Sequence, residues 1–111
     1  MKAATTLFTE SEPTDLYEAA RQAARSAYTL QKRQLVALLA DVADHRVEAG
    51  ACRDHIVQLV HNISGTATYF DEGAIGDLCG PIELRLRSAE PFATIRPELD
   101  VLGGRLASSI D

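Results

Sequence analysis

Residues 51–70 read ACRDHIVQLVHNISGTATYF, and this stretch decides the fold class. Its apolar side chains recur every three or four positions, at Cys52, Ile56, Leu59, Ile63, Ala67 and Phe70. This spacing predicts an amphipathic helix that buries one face and leaves the other in water. A helix of about 20 residues is about 30 Å long, which suits an element of a small helical bundle.

The sequence before this helix contains no Gly or Pro between Leu16 and Ala49. A weak apolar stripe is formed by Leu16, Ala20, Ala23 and Ala27. A stronger stripe is formed by Leu35, Leu38, Leu39, Val42 and Ala49. We therefore expect a short Ala-rich helix and a longer second helix, divided near residues 26–29 and closed by Gly50. One long bent helix would satisfy the same pattern.

Two further helices are expected after residue 70. The first carries Ile75, Leu78, Cys79, Ile82 and Leu86, and the second begins at Pro91 with Phe92, Ile95, Leu99, Leu102, Leu106 and Ile110. Short connections between such helices favour an all-α, antiparallel up-down-up-down four-helix bundle with an extra N-terminal helix. Residues 1–13 are predicted as a flexible arm, and residues 14–111 as the bundle domain.

Composition and charge limit the classes of function that are compatible with the chain. The net charge is −5, from 16 acidic and 11 basic residues, which argues against a nucleic-acid partner. No apolar run is long enough to span a membrane, and the N-terminus lacks the apolar region of a signal peptide. A cytoplasmic protein is therefore expected. Cys52 and Cys79 form no C-x-x-C pair and are read as core residues, with a disulfide or a reactive thiol as the alternative.

His61 lies on the polar face of the predicted 51–70 helix. Counting about 100° per residue, Asp54, Gln58, Ser64, Gly65 and Thr68 all fall within about 60° of it. Gly65 would leave a gap beside the imidazole at a cost of about 1 kcal/mol relative to Ala, and close approach by another molecule would explain that gap. An exposed His on a helix is also commonly a solvated side chain without a function, and an isolated Gly is often simply tolerated.

The stretch from His61 to Phe70 resembles the signature of histidine-containing phosphotransfer (HPt) domains. His61, Ile63, Gly65, Ala67 and Phe70 match that signature, and Ile82-Glu83 is similar to an apolar-Glu pair on the family's next helix. The resemblance covers roughly residues 28–110. Two positions depart from it, since Ser64 replaces the family's usual Lys and Asp71 replaces a Gly.

The resemblance implies a phosphocarrier rather than an enzyme, with His61 as the phosphorylated residue. Its partners would be a response-regulator receiver domain, which would also hold the Mg²⁺, and a hybrid histidine kinase; the chain itself would need no cofactor or metal. The expected docking residues around His61 are Gly65, Ser64, Gln58, Val57 and Thr68. The cations considered as phosphate supports are Arg87, Arg85, Lys32 and Arg33, each of which is also typical of a solvated surface charge.

Two alternatives stay open from the sequence. A degenerate HPt-like adaptor would bind a receiver or kinase without carrying phosphate, and the missing Lys at Ser64 favours it. A metal-dependent enzyme would use Asp41 and His45, which are four residues apart, with Asp54 and His55. The metal alternative is the weaker one, because an i, i+4 Asp–His pair is usually a surface pair.

Overall fold

The computed structural model describes the backbone of residues 2–110 and the side chains of residues 15–110. This part of the chain is all-helical and contains no strand. Its helices are α1 (Lys2–Ala43), α2 (Ala49–Ala67), α3 (Gly73–Arg87) and α4 (Phe92–Ser109). A 3₁₀ turn over Thr68–Phe70 follows α2 directly. Consecutive helices contact each other, and α1 also contacts α4, so the four helices enclose one core.

Helix α1 is continuous, so the predicted division near residues 26–29 is wrong. Tyr28, Lys32 and Leu35 are buried at successive turns across the expected break. With no Gly or Pro in this stretch, nothing interrupts the backbone hydrogen bonds, and the expected extra N-terminal helix is the first half of α1. The boundary after residue 13 stays a prediction.

The turn between α1 and α2 lies earlier than the sequence predicted. His45 adopts a left-handed conformation with φ 59°, and Arg46 donates its backbone N–H to the carbonyl of Asp41. These features end α1 in the way that a C-terminal glycine often does. Glu48 then caps α2 by accepting from the backbone N–H of Ala51. Gly50 therefore lies in the first turn of α2 and does not close α1.

The core contains most of the apolar residues that the periodicity predicted from Leu35 onward, and also Tyr28, Val57 and Val60, which it did not predict. Its fully buried members include Leu35, Ile56, Val60, Ile63, Leu86, Ile95, Leu102 and Leu106. Cys79 is buried and Cys52 partly buried, and both thiols are free. Burial, followed by the nearby Glu83 carboxylate, raises the pKa of the Cys79 thiol to about 11. Cys79 is therefore an unreactive core residue, as the sequence suggested.

A buried polar cluster joins α1 to the α2–α3 junction and to the end of α4. Glu72 accepts hydrogen bonds from the Tyr28 hydroxyl (2.6 Å) and the Lys32 ammonium (3.1 Å). Lys32 also donates to the Ser109 hydroxyl at 3.0 Å. Burial, reinforced by the Glu72 carboxylate, raises the pKa of the Tyr28 hydroxyl well above its ordinary value. Lys32 is thus a structural residue.

Replacing Lys32 by Met is expected to lower the free energy of unfolding by about 2–3 kcal/mol. Removing one member of a buried ion pair costs about 3–5 kcal/mol, and here the carboxylate of Glu72 is still 26% exposed, so water offsets part of that loss. Urea unfolding monitored by circular dichroism measures the change. Gln34→Met, at an exposed position two residues away, is the control and should change stability by less than about 0.5 kcal/mol.

Candidate functional site

His61 lies on the surface of α2 and contacts α3. Its side chain is 58% exposed, and its Nδ1 is 2.9 Å from Oε2 of Glu83. Glu83 comes from the middle of α3, 22 residues further along the chain. The packing of α2 against α3 therefore brings the two side chains together at the edge of the contact between these helices.

Glu83 is shared between His61 and Arg87. The Arg87 guanidinium donates through Nε to the same Oε2 atom at 2.8 Å, one turn further along α3. Burial would by itself raise the pKa of the Glu83 carboxyl, but hydrogen bonds from Arg87 and His61 outweigh it and lower that pKa. The carboxyl group of Glu83 is therefore ionised at neutral pH and accepts from both neighbours.

The ionised carboxylate determines which nitrogen of His61 carries the proton. A carboxylate can only accept hydrogen bonds, so the contacting Nδ1 is assigned as the N–H donor. In the neutral imidazole the other nitrogen, Nε2, then holds the lone pair. Carboxylate partners orient histidines in this way at many reactive sites. His61 consequently presents a nucleophilic nitrogen on an exposed side chain.

The surface around His61 is open. A Cβ atom added to Gly65 would meet no other atom within 4 Å apart from its own helix backbone. Gln58 and Thr68 are exposed and Ser64 is partly buried. By helical count Gly65, Gln58 and Ser64 lie on the side of α2 that carries His61, and Thr68 lies in the 3₁₀ turn that follows α2.

The other predicted site residues lie elsewhere. Val57 is only 9% exposed and packs in the core that the four helices enclose. Arg85 binds Glu90 at 2.6 Å and Glu98 at 2.8 Å, which directs it toward α4. Lys32 is buried in its cluster with Glu72. Of the proposed phosphate-supporting cations Arg87, Arg85 and Lys32, the hydrogen bonds connect only Arg87 to His61, through Glu83.

Glu83 is not identifiable from the sequence pattern as the partner of His61. The signal was the Ile82-Glu83 pair, in which a buried residue precedes a carboxylate at the edge of the core. Periodicity places Glu83 beside the core face of α3, but it does not say which helix packs there. Only the tertiary contact between α2 and α3 reveals the pair.

The residues considered for a metal site do not converge. Asp41 pairs with Arg46 at 3.4 Å in the turn after α1. Among the side chains of residues 15–110, no three His, Cys, Asp or Glu residues lie close enough together to hold a metal ion. Within the same part of the chain, none of the helices combines the length and apolar character needed to cross a bilayer.

Comparison of the chain with protein-family models, with curated proteins and with solved structures finds no match.

Proposed function

We propose that this protein is a histidine phosphotransfer intermediate of a two-component phosphorelay, in which His61 accepts and donates a phosphoryl group. The observation that carries the proposal is the exposed imidazole of His61, oriented through Nδ1 by the ionised carboxylate of Glu83. The proposal includes a cytoplasmic location, an antiparallel up-down-up-down arrangement of the four helices, and two partners, a receiver domain and a hybrid histidine kinase.

The chemistry needs little from this chain beyond the imidazole. Nε2 of His61 attacks the phosphorus of an aspartyl phosphate on the receiver, the P–O bond to the aspartate breaks, and a phosphoramidate N–P bond forms. The released aspartate keeps the electron pair of the broken bond. Positive charge develops on the ring, and the Glu83 carboxylate, already bonded to Nδ1–H, stabilises it. Mg²⁺ would be held by the receiver.

Arg87 is the cation best placed to support the phosphoryl group. It donates to the same oxygen of Glu83 as His61 and its side chain is 52% exposed. Arginine is well suited to phosphate because its planar guanidinium offers several donors. We propose that Arg87 supplies the positive charge that Ser64 lacks.

The second candidate function is a helical adaptor that binds a receiver or kinase without carrying phosphate. One observation favours it: Ser64 stands where the resembled family usually has Lys. Both functions use the same exposed surface, so a binding measurement alone does not distinguish them.

Incubation of the full chain with phosphorylated receivers separates the two functions. Receiver domains from the same genome are labelled with radioactive phosphate from acetyl phosphate and Mg²⁺, purified, and mixed with the protein. We expect label on the protein that is lost in acid and kept in base, as for a phosphoramidate. Binding to a receiver without any transfer of label would favour the adaptor.

Replacing Glu83 by Ala is expected to slow phosphotransfer about 10–100-fold, which is the range known for carboxylates that orient metal-bound histidines. Both tautomers of His61 become accessible, and the ring charge that forms during transfer loses its counter-charge. Initial transfer rates from a labelled receiver measure the effect. Glu98→Ala is the control: it removes a carboxylate of α4 that binds Arg85, and it should leave the rate unchanged. Equal rates for wild type and Glu83→Ala would contradict the assigned role.

Replacing Ser64 by Lys is expected to increase the lifetime of the phosphohistidine only severalfold. An exposed ion pair contributes about 0–1 kcal/mol, and Arg87 already provides a nearby positive charge. The gain should shrink at high salt because the added charge is screened. Lifetimes at low and high salt provide the measurement. A change from undetectable to robust transfer would show instead that the natural chain is an adaptor.

A further inference from the structure

The first half of α1 extends beyond the other helices. At 1.5 Å per residue, the 42 residues of α1 span about 63 Å, which matches the 64 Å longest dimension of the molecule. Helices α2, α3 and α4 have only 19, 15 and 18 residues. Over residues 15–27, each side chain is exposed except Arg21, which is partly buried. Arg21 lies over the Tyr69 ring and Arg25 over the Phe70 ring, and the rest of this segment of α1 lacks a covering layer within the described chain.

An apolar face runs along this uncovered segment. Leu16 and Leu30 are 61% and 56% exposed, and Ala20, Ala23 and Ala27 lie between them at intervals of four, three, four and three residues. This is the a/d spacing of helices that pack side by side. By helical count the face is turned about 100° or more from the buried residues Tyr28 and Lys32. It is thus separate from the surface that α1 buries in its own bundle.

Charge is segregated along the same helix. Residues 3–18 contain four acids and no base: Glu10, Glu12, Asp15 and Glu18. Residues 19–33 contain four bases and no acid: Arg21, Arg25 and Arg33, together with Lys32, which is buried against Glu72 and adds nothing to the surface charge. A groove on the surface of the basic part is lined by Arg25, Ser26, Thr29, Leu30 and Arg33. Two such helices attract each other when they run in opposite directions and repel each other when they run in parallel.

We propose that two copies of this chain associate through an antiparallel pair of α1 helices. With the two-fold axis near residues 21–22, Leu16 of one copy faces Ala27 of the other and Ala20 faces Ala23. The small Ala side chains allow close approach, and each exposed Leu packs beyond them against the other helix. In this register Glu18 of one copy lies at the level of Arg25, which lines the basic groove of the other copy.

Sedimentation equilibrium of the full chain tests the association. We expect a monomer–dimer equilibrium with a Kd on the order of 10–100 µM, weakened by salt because part of the attraction is between charges. Ala23→Glu should be monomeric at these concentrations, while Gln22→Glu should behave as wild type. Both changes add one negative charge at adjacent exposed positions and both keep a good helix former. A wild-type monomer up to about 1 mM, or a dimer that survives in Ala23→Glu, would overturn the proposal.

Cysteine cross-linking tests the direction of the pair. In a Cys52→Ser background, the double variant Leu16→Cys, Ala27→Cys should form a disulfide-linked dimer on mild oxidation, because the two positions face each other across copies. Each single variant should stay uncross-linked, since the same residues of the two copies are then far apart. Cys79 is buried and does not interfere. A cross-link in the Leu16→Cys single variant would indicate a parallel pair and overturn the antiparallel arrangement.

Discussion

Replacing His61 by Gln is expected to abolish phosphorylation of the protein while leaving the fold intact. Glutamine has no nucleophilic nitrogen, yet its amide can still donate to the Glu83 carboxylate as the Nδ1–H does. The exposed position, 58% accessible in the histidine, tolerates the change in shape. Label transferred from a phosphorylated receiver provides the measurement, and circular dichroism checks the helical content.

His45→Gln and His55→Gln are the matched controls for this experiment. Both histidines are exposed, and neither lies at the contact of α2 with Glu83. Both variants should accept label at the wild-type rate. Label that persists in His61→Gln would assign phosphorylation to another residue and remove the basis of the proposed function.

Replacing Gly65 by Leu is expected to reduce phosphotransfer at least about 100-fold. The new side chain would occupy the open surface one turn from His61 and hold the receiver away, and misplacing reacting groups by about 1 Å already costs a rate factor of that order. The fold should be unaffected, because a Cβ at Gly65 meets nothing within 4 Å and Leu favours helix more than Gly does. Transfer rates at saturating receiver concentration measure the effect.

Gly104→Leu is the control for Gly65→Leu. Gly104 is also exposed within a helix, and its added Cβ likewise meets nothing within 4 Å, but it lies on α4. Both variants should be slightly more stable than wild type, by up to about 1 kcal/mol each. If folded Gly65→Leu transfers phosphate normally, the partner does not approach over this surface.

Two polar clusters among the described residues have different roles. The cluster of Tyr28, Lys32 and Glu72 is largely buried and joins separate helices, so its loss lowers stability. The cluster of His61, Glu83 and Arg87 is at the surface, where water replaces a lost hydrogen bond at little cost. Substitutions in the second cluster should therefore change chemistry without unfolding the protein.

Much of the helical pattern could be predicted from periodicity, since the buried positions of α2, α3 and α4 recur at the expected spacing. The exposed position of His61 also followed from that count. Val57 is an exception: the helical count places it near His61, but it is buried in the core. A residue at the border between two faces is buried or exposed according to its neighbouring helix, and the neighbour is not encoded in the local pattern.

The sequence by itself determined that the chain is helical and that His61 and Gly65 share an exposed helix face, because helical periodicity is a local property of the backbone. The tertiary structure decided three further points. It paired His61 with Glu83, it turned Arg85 toward α4, and it buried Lys32 against Glu72. Each of these depends on which helix packs beside which and in what register, and these contacts join residues 13 to 40 positions apart.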